Sequence, residues 1–136
     1  MIEHQNGLAA VLSIIETELP LHQTDVVFGD ADPEATRALG ANYAVVSVLA
    51  TAPGLRLENG YTYWRDVFIV QVRTREAATP IDAFDRYATL VEALDAYTYR
   101  ERRTGINRTL EVVASESMLA TAAVGATITV EVHGGT

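Results

Sequence analysis

Cysteine is absent from this 136-residue chain. Disulfides, thiolate metal sites and thiol nucleophiles are therefore excluded. Lysine is absent too, so all ten basic residues are arginine. Codon bias from a GC-rich genome accounts for that choice, although arginine is also the better residue for buried ion pairs. No apolar run approaches the roughly 18 residues of a membrane span. The start, Met1 to Asn6, lacks the basic region of a signal peptide. These features lead us to expect a soluble protein made and kept in the cytoplasm. The excess of acid over base leaves a net charge of −8, which argues against non-specific binding to nucleic acid. Apolar residues make up 49% of the chain, too many for a disordered tail. We expect a single domain spanning 1–136, long enough to bury a core without staples.

The chain is organised around 63–97. Tyr-Trp-Arg-Asp-Val-Phe-Ile-Val-Gln-Val-Arg-Thr-Arg at 63–75 reads as one long strand. Phe68, Val70 and Val72 point one way; Arg65, Val67, Ile69, Gln71, Arg73 and Arg75 point the other. The first face is core. The second is apolar in its middle and cationic at its far end, which suits either a covering helix or a second subunit. Thr79-Pro80 with Asp82 marks a helix start. Ile81, Phe84, Ala88, Val91 and Leu94 repeat at three or four, so a helix over 80 to about 97 should lie on the sheet.

Residues 2–19 read as a helix with Leu8, Leu12, Ile15 and Leu19 on one face, widened by Val11 and Ile14, and ended by Pro20. A short strand is expected at 25–29 and a long one, apolar on both faces, at 42–51. Pro53-Gly54 and Asn59-Gly60 are turn signals, so 42–51 should run antiparallel to 63–75 through a long hairpin loop. Leu55 and Leu57 on that loop are candidate contacts. Residues 100–107 read as a charged connector, and Arg100, Arg102 and Arg103 are more naturally solvated than bound to phosphate. Strands follow at 108–117 and 126–133, joined by a small-residue connection over 118–125, and 134–136 reads as a loose end. The expected fold is α+β: a single, mostly antiparallel sheet of about four to five strands, with an N-terminal helix and one central helix packed on it.

Motifs of chemistry are few. Asp25, Asp30, Asp32 and Glu34 lack calcium-loop spacing, and Asp32-Pro33 fits a helix cap instead. His4, His22 and His133 have no metal-ligand spacing. There is no nucleophile elbow, phosphate loop or dinucleotide fingerprint, and Ser13, Ser47, Ser115 and Ser117 fall inside elements. We expect no catalytic residue, metal or cofactor.

The order of elements, the string at 63–75, and Ala-Phe-Asp-Arg-Tyr-Ala-Thr-Leu-Val-Glu-Ala-Leu at 83–94 resemble the tail terminators and related minor tail proteins of long-tailed bacteriophages and phage-like particles. The resemblance implies a virion structural protein at the head–tail junction, assembled in the host cytoplasm. It implies a ring, commonly a hexamer, that caps the tail tube and joins it to the head. Its partners would be copies of itself, the tail tube protein and a head-completion or connector protein. DNA would pass through the lumen without specific binding, which an acidic lining favours. The subunit contacts are then expected on Leu55, Leu57, Arg65, Val67, Ile69, Gln71, Arg73 and Arg75. The alternatives are a small ferredoxin-like ligand-binding module or enzyme, and an antitoxin-like regulatory partner.

Overall fold

The computed structural model describes residues 2–29, 42–56, 58, 60, 62–75, 79–120 and 123–135. In chain order these form β1 (Ile2–His4), α1 (Gly7–Glu18), β2 (Gln23–Phe28), β3 (Asn42–Arg56), β4 (Thr62–Thr74), α2 (Pro80–Leu94), β5 (Thr98–Glu101), β6 (Asn107–Ala120) and β7 (Ala123–Gly135). The seven strands make one sheet in the order β1-β5-β6-β7-β4-β3-β2. β1 runs parallel to β5 and β2 parallel to β3; every other pair is antiparallel.

This overturns the expected four-to-five-strand antiparallel sheet. The sheet is mixed and curls into a half-barrel. The two additional strands, β1 and β5, are three and four residues long. Such lengths are too short to carry a readable alternation. The sequence pattern places the residues of β1 in the first helix. That helix starts later, because Asn6 adopts extended backbone and its side chain accepts the Ala9 N–H at 2.9 Å. In β5 only Tyr99 turns inward, while Thr98 and Arg100 are exposed. The span that looked like a connector at 118–125 lies largely in β6 and β7, and the terminal glycines pair with β4.

β3 also runs further than its sequence suggests, through Pro53 and Gly54. Both sit in an irregularity of register between Ala52 and Leu55. There a proline leaves no ladder hydrogen bond unmade. A second irregularity, between Val48 and Ala50, takes up Leu49. The long strand β4 falls where alternation puts it, one residue earlier at each end.

Both helices cover the same face of the sheet. Ala10, Val11, Ile14 and Ile15 of α1 and Ala83, Tyr87, Leu90 and Leu94 of α2 join Ala44, Val46, Phe68, Val70, Val72, Leu110, Ile128, Val130 and Val132 in one apolar cluster. Each large member buried there contributes about 1.5–3 kcal/mol. The stripe that α2 buries differs from the expected one. Ile81 is 68% exposed, Ala88 is exposed, and Phe84 and Val91 are half-buried. α2 ends at Leu94 rather than near Tyr97, because Asp95 turns extended and Ala96 takes a φ of 61°.

Candidate functional site

Four of the residues proposed from sequence as subunit contacts stand in one row. Val67, Ile69, Gln71 and Arg73 alternate along β4 on the face away from the helices, and all are half-buried. Their neighbours across β7 are Glu131, Thr129, Thr127 and Gly125. Arg65 continues the row and is exposed. Arg75 lies just past the strand, and its backbone N–H donates to Asn42 Oδ1 at 2.9 Å. Leu55 is in β3 opposite Tyr63. Its side chain and all of Leu57 lie outside the described residues.

On the same face, the wet end of the row carries a charge network. Arg65 Nη2 lies 3.2 Å from Glu131 Oε2. His133 Nε2 lies 3.1 Å from Glu131 Oε1 and 3.2 Å from Glu111 Oε2. Glu111 and Glu131 are directly opposed on β6 and β7. Like charges so placed repel, and the Arg65 guanidinium beside Glu131 offsets that repulsion. Among the described residues, no three His, Asp or Glu side chains are placed to hold a metal ion.

The helix side of the same end holds a cluster that the sequence did not announce. Trp64, Gly134 and Arg108 are neighbours across β4, β7 and β6. A Cβ on Gly134 would sit 2.5 Å from Arg108 Cδ. The bare glycine is therefore what allows the arginine to lie across β7 toward Trp64, with Cζ 5.4 Å from the ring centroid. Arg108, itself 5% exposed, donates through Nε to Glu101 Oε2 at 2.8 Å, and Nη2 approaches the same oxygen at 2.6 Å. Asp66 points the same way. Burial raises its carboxyl above the usual range, against the pull of Arg108 and with the push of Glu101. Burial likewise pushes the Tyr99 phenol up. Four separate strands supply these groups, so no spacing along the chain could have revealed them.

Next to this cluster is a cavity of about 560 Å³, lined by Gln5, Asn6, Glu101, Arg102 and Arg103. Two of the arginines considered for phosphate contact therefore share a cleft, although Glu101 beside them is already committed to Arg108. Arg100 lies apart, against Gly105.

At the opposite end, a buried polar chain joins β4, α2 and β7. The Tyr87 hydroxyl donates to the Val124 carbonyl at 2.7 Å. Its single proton is thereby used. The Thr74 hydroxyl, 2.6 Å away, must donate to the Tyr87 oxygen. His22 Nε2, 2.8 Å from Thr74, is then left as the donor, which fixes the neutral tautomer protonated on Nε2. Burial, aided by Arg86, holds the His22 pKa below its ordinary value. All these groups are saturated by one another, so the chain is structural in character.

No family model and no curated protein sequence matches the chain. Solved structures do. A chain from the structure described as "Virion of native gene transfer agent (GTA) particle" superposes with a TM-score of 0.57 and 15% identity, over 93% of this chain and 92% of that one. A second solved chain superposes with a TM-score of 0.53 and 14% identity, over 91% of this chain and 92% of that one. At these identities the likeness is one of fold. It extends across nearly the whole of each chain, so this chain has the same architecture, end to end, as a chain solved within a gene transfer agent virion.

Proposed function

We propose that this chain is a structural subunit of a phage-like particle. The supporting observation is the end-to-end likeness of its fold to a chain from a gene transfer agent virion. Within that class we favour a tail terminator that closes into a ring, commonly of six copies, caps the tail tube and meets a head-completion or connector protein. The chain then works by assembly and not by catalysis. The helix-free row of β4, apolar at Val67 and Ile69 and cationic at Arg73, suits contact between copies. A net charge of −8 suits a lumen that lets DNA pass without holding it.

Negative-stain electron microscopy and sedimentation of the purified chain, alone and with the particle's tail tubes, test the reading. Rings, or tubes blunted at one end by this protein, are expected. A monomer at all concentrations that also leaves tube ends bare refutes the terminator role. Among the described residues, the cavity at Arg102 and Arg103 favours a small-molecule role. A thermal-shift screen of anionic metabolites that raises the melting temperature, with that rise lost in Arg102→Ala, would favour it instead.

A further inference from the structure

We propose that the groove between α2 and β6 takes an extended segment of a partner protein, with basic and apolar residues in alternation, which adds as a strand to the β6 edge. This inference stands independently of the terminator reading.

The first observation is backbone. β5 pairs with β6 only from Asn107 to Thr109. The Leu110 N–H and C=O are taken by Tyr97 and Ala96, and the Val112 N–H donates to Asp95 Oδ1 at 3.1 Å. From Val113 to Ala120, no described strand pairs with this edge. That is about 26 Å of unmatched donors and acceptors at ~3.3 Å per residue. No proline or lysine blunts it, in contrast to Val112, which Asp95 caps.

The second observation is packing. Ser115 and Ser117 lie beside Ile128 and Ala126 and face the helix side of the sheet. Ile128 and Ala126 are buried while both serines are exposed, so the covered core stops at β7. α2 stands off from β6 there, leaving a groove of about 330 Å³ lined by Phe84, Ala88, Val91 and Glu92 on the helix side. Of these, Phe84 and Val91 are half-buried at the margin of the core cluster and Ala88 is exposed. Leu119 (65% exposed) and Val113 (45% exposed) mark the two ends of the open edge.

The third observation is charge. Glu92 lines the groove and Glu116 sits on the open edge. Both are exposed, and neither forms an ion pair among the described residues. Because Ser115 and Ser117 face the helix side, Glu116 points to the other face; an incoming strand that seats its apolar residues in the groove turns its alternate arginines or lysines to that face and meets Glu116. A second copy of this chain is a poorer occupant. Symmetric pairing of the two β6 edges sets Glu116 close to its own image, in a protein already carrying −8.

A synthetic ten-residue peptide of alternating valine and arginine, and its counterpart with glutamate for arginine, serve as probes. Titration calorimetry and amide hydrogen exchange are the readouts. The arginine peptide should bind and slow exchange across 113–119, and the glutamate peptide should do neither. Glu116→Arg, at an exposed position of the open edge, and Ala88→Arg, which fills the groove, should each weaken binding about tenfold without changing the melting temperature. Glu16→Arg, the same charge change on the exposed side of α1, should leave binding unchanged. Equal binding of both peptides, protection elsewhere in the sheet, or an equal loss with Glu16→Arg overturns the proposal. So does concentration-dependent protection of 113–119 in the free protein, which would make a second copy the occupant.

Discussion

Tyr87→Phe is the most informative single change in the interior. The hydroxyl it removes donates to the Val124 carbonyl at 2.7 Å and lies 2.6 Å from the Thr74 hydroxyl. Tyr87 is 1% exposed, Val124 3% and Thr74 4%, so water does not reach the groups left behind. The two losses differ. Thr74 has a remedy: its proton can turn to His22 Nε2 once the imidazole shifts to its other tautomer. The Val124 carbonyl has none and becomes a buried acceptor without a partner, at a cost of about 1–3 kcal/mol. Phenylalanine keeps the ring and its packing, so no large cavity term is added. We therefore expect a loss of about 2 kcal/mol, which is a drop of roughly 6–10 °C in melting temperature for a chain of this size. Urea unfolding followed by circular dichroism measures it. The double-mutant cycle with Thr74→Val should show coupling of about 1 kcal/mol or more, because both changes break the same chain. A loss below about 0.5 kcal/mol with no coupling would mean that the three side chains do not act as a unit, and the tautomer assigned to His22 would fall with it.

Other expectations follow from the same structure. The His22 pKa is lowered in the folded state, so the unfolded chain takes up that proton first as pH falls; stability should be level above about pH 6.5 and decline below it, and His22→Gln should flatten that slope in melting curves at pH 5 and pH 7.5. Glu101→Gln leaves the Arg108 guanidinium buried without its counter-charge and should cost about 3 kcal/mol in chemical denaturation, with a change in Trp64 fluorescence because the arginine lies over that ring. Gly134→Ala puts a methyl where Arg108 Cδ and the Asn107 carbonyl already stand and should destabilise by about 2 kcal/mol; a neutral outcome would mean that the arginine can vacate its place freely. Gly7→Ala meets Val132, Phe68 and Tyr99 at 3.1–3.4 Å; with all three buried, the steric term should outweigh the gain of about 1 kcal/mol in helix propensity and lower the melting temperature.

β4 was legible because both of its faces carry a signal. Phe68, Val70 and Val72 alternate with half-polar neighbours over many residues, and a strand of that length cannot be mistaken for a helix. α2 was legible as a helix but not in its orientation. It carries two apolar lines, one through Ala83, Tyr87, Leu90 and Leu94 and another through Phe84, Ala88 and Val91. Periodicity finds both and cannot say which of them the sheet will cover. The choice fell on the line containing Tyr87, whose hydroxyl finds Thr74 and the Val124 carbonyl inside. β1 and β5 were illegible for a different reason. Each is stabilised by a partner distant in sequence, as in the pairing of Ile2 with Tyr99, and nothing local distinguishes Ile-Glu-His from the start of a helix. The Arg108 cluster was hidden in the same way, since it depends on Gly134 lying between Trp64 and Arg108. The expected contact row on β4 was placed by simple alternation, whereas the open edge of β6 follows from β5 ending early, a fact of topology alone.

The position of β4 in the sheet also sets the order in which the chain can be made safe. β3 and β4 are adjacent in sequence and can close as a hairpin while synthesis continues. The other flank of β4 must wait for β7, since Val70 pairs with Ile128. Until then, one long edge of the hairpin is open and Phe68, Val70 and Val72 lie bare on its inner face. The helix made in that interval, α2, can shield those side chains but cannot satisfy the waiting amides. Refolding should therefore be slow for the chain's length, as non-local sheets are. Yield on expression should depend more on temperature and on chaperones that hold open strands than on the stability of the finished fold.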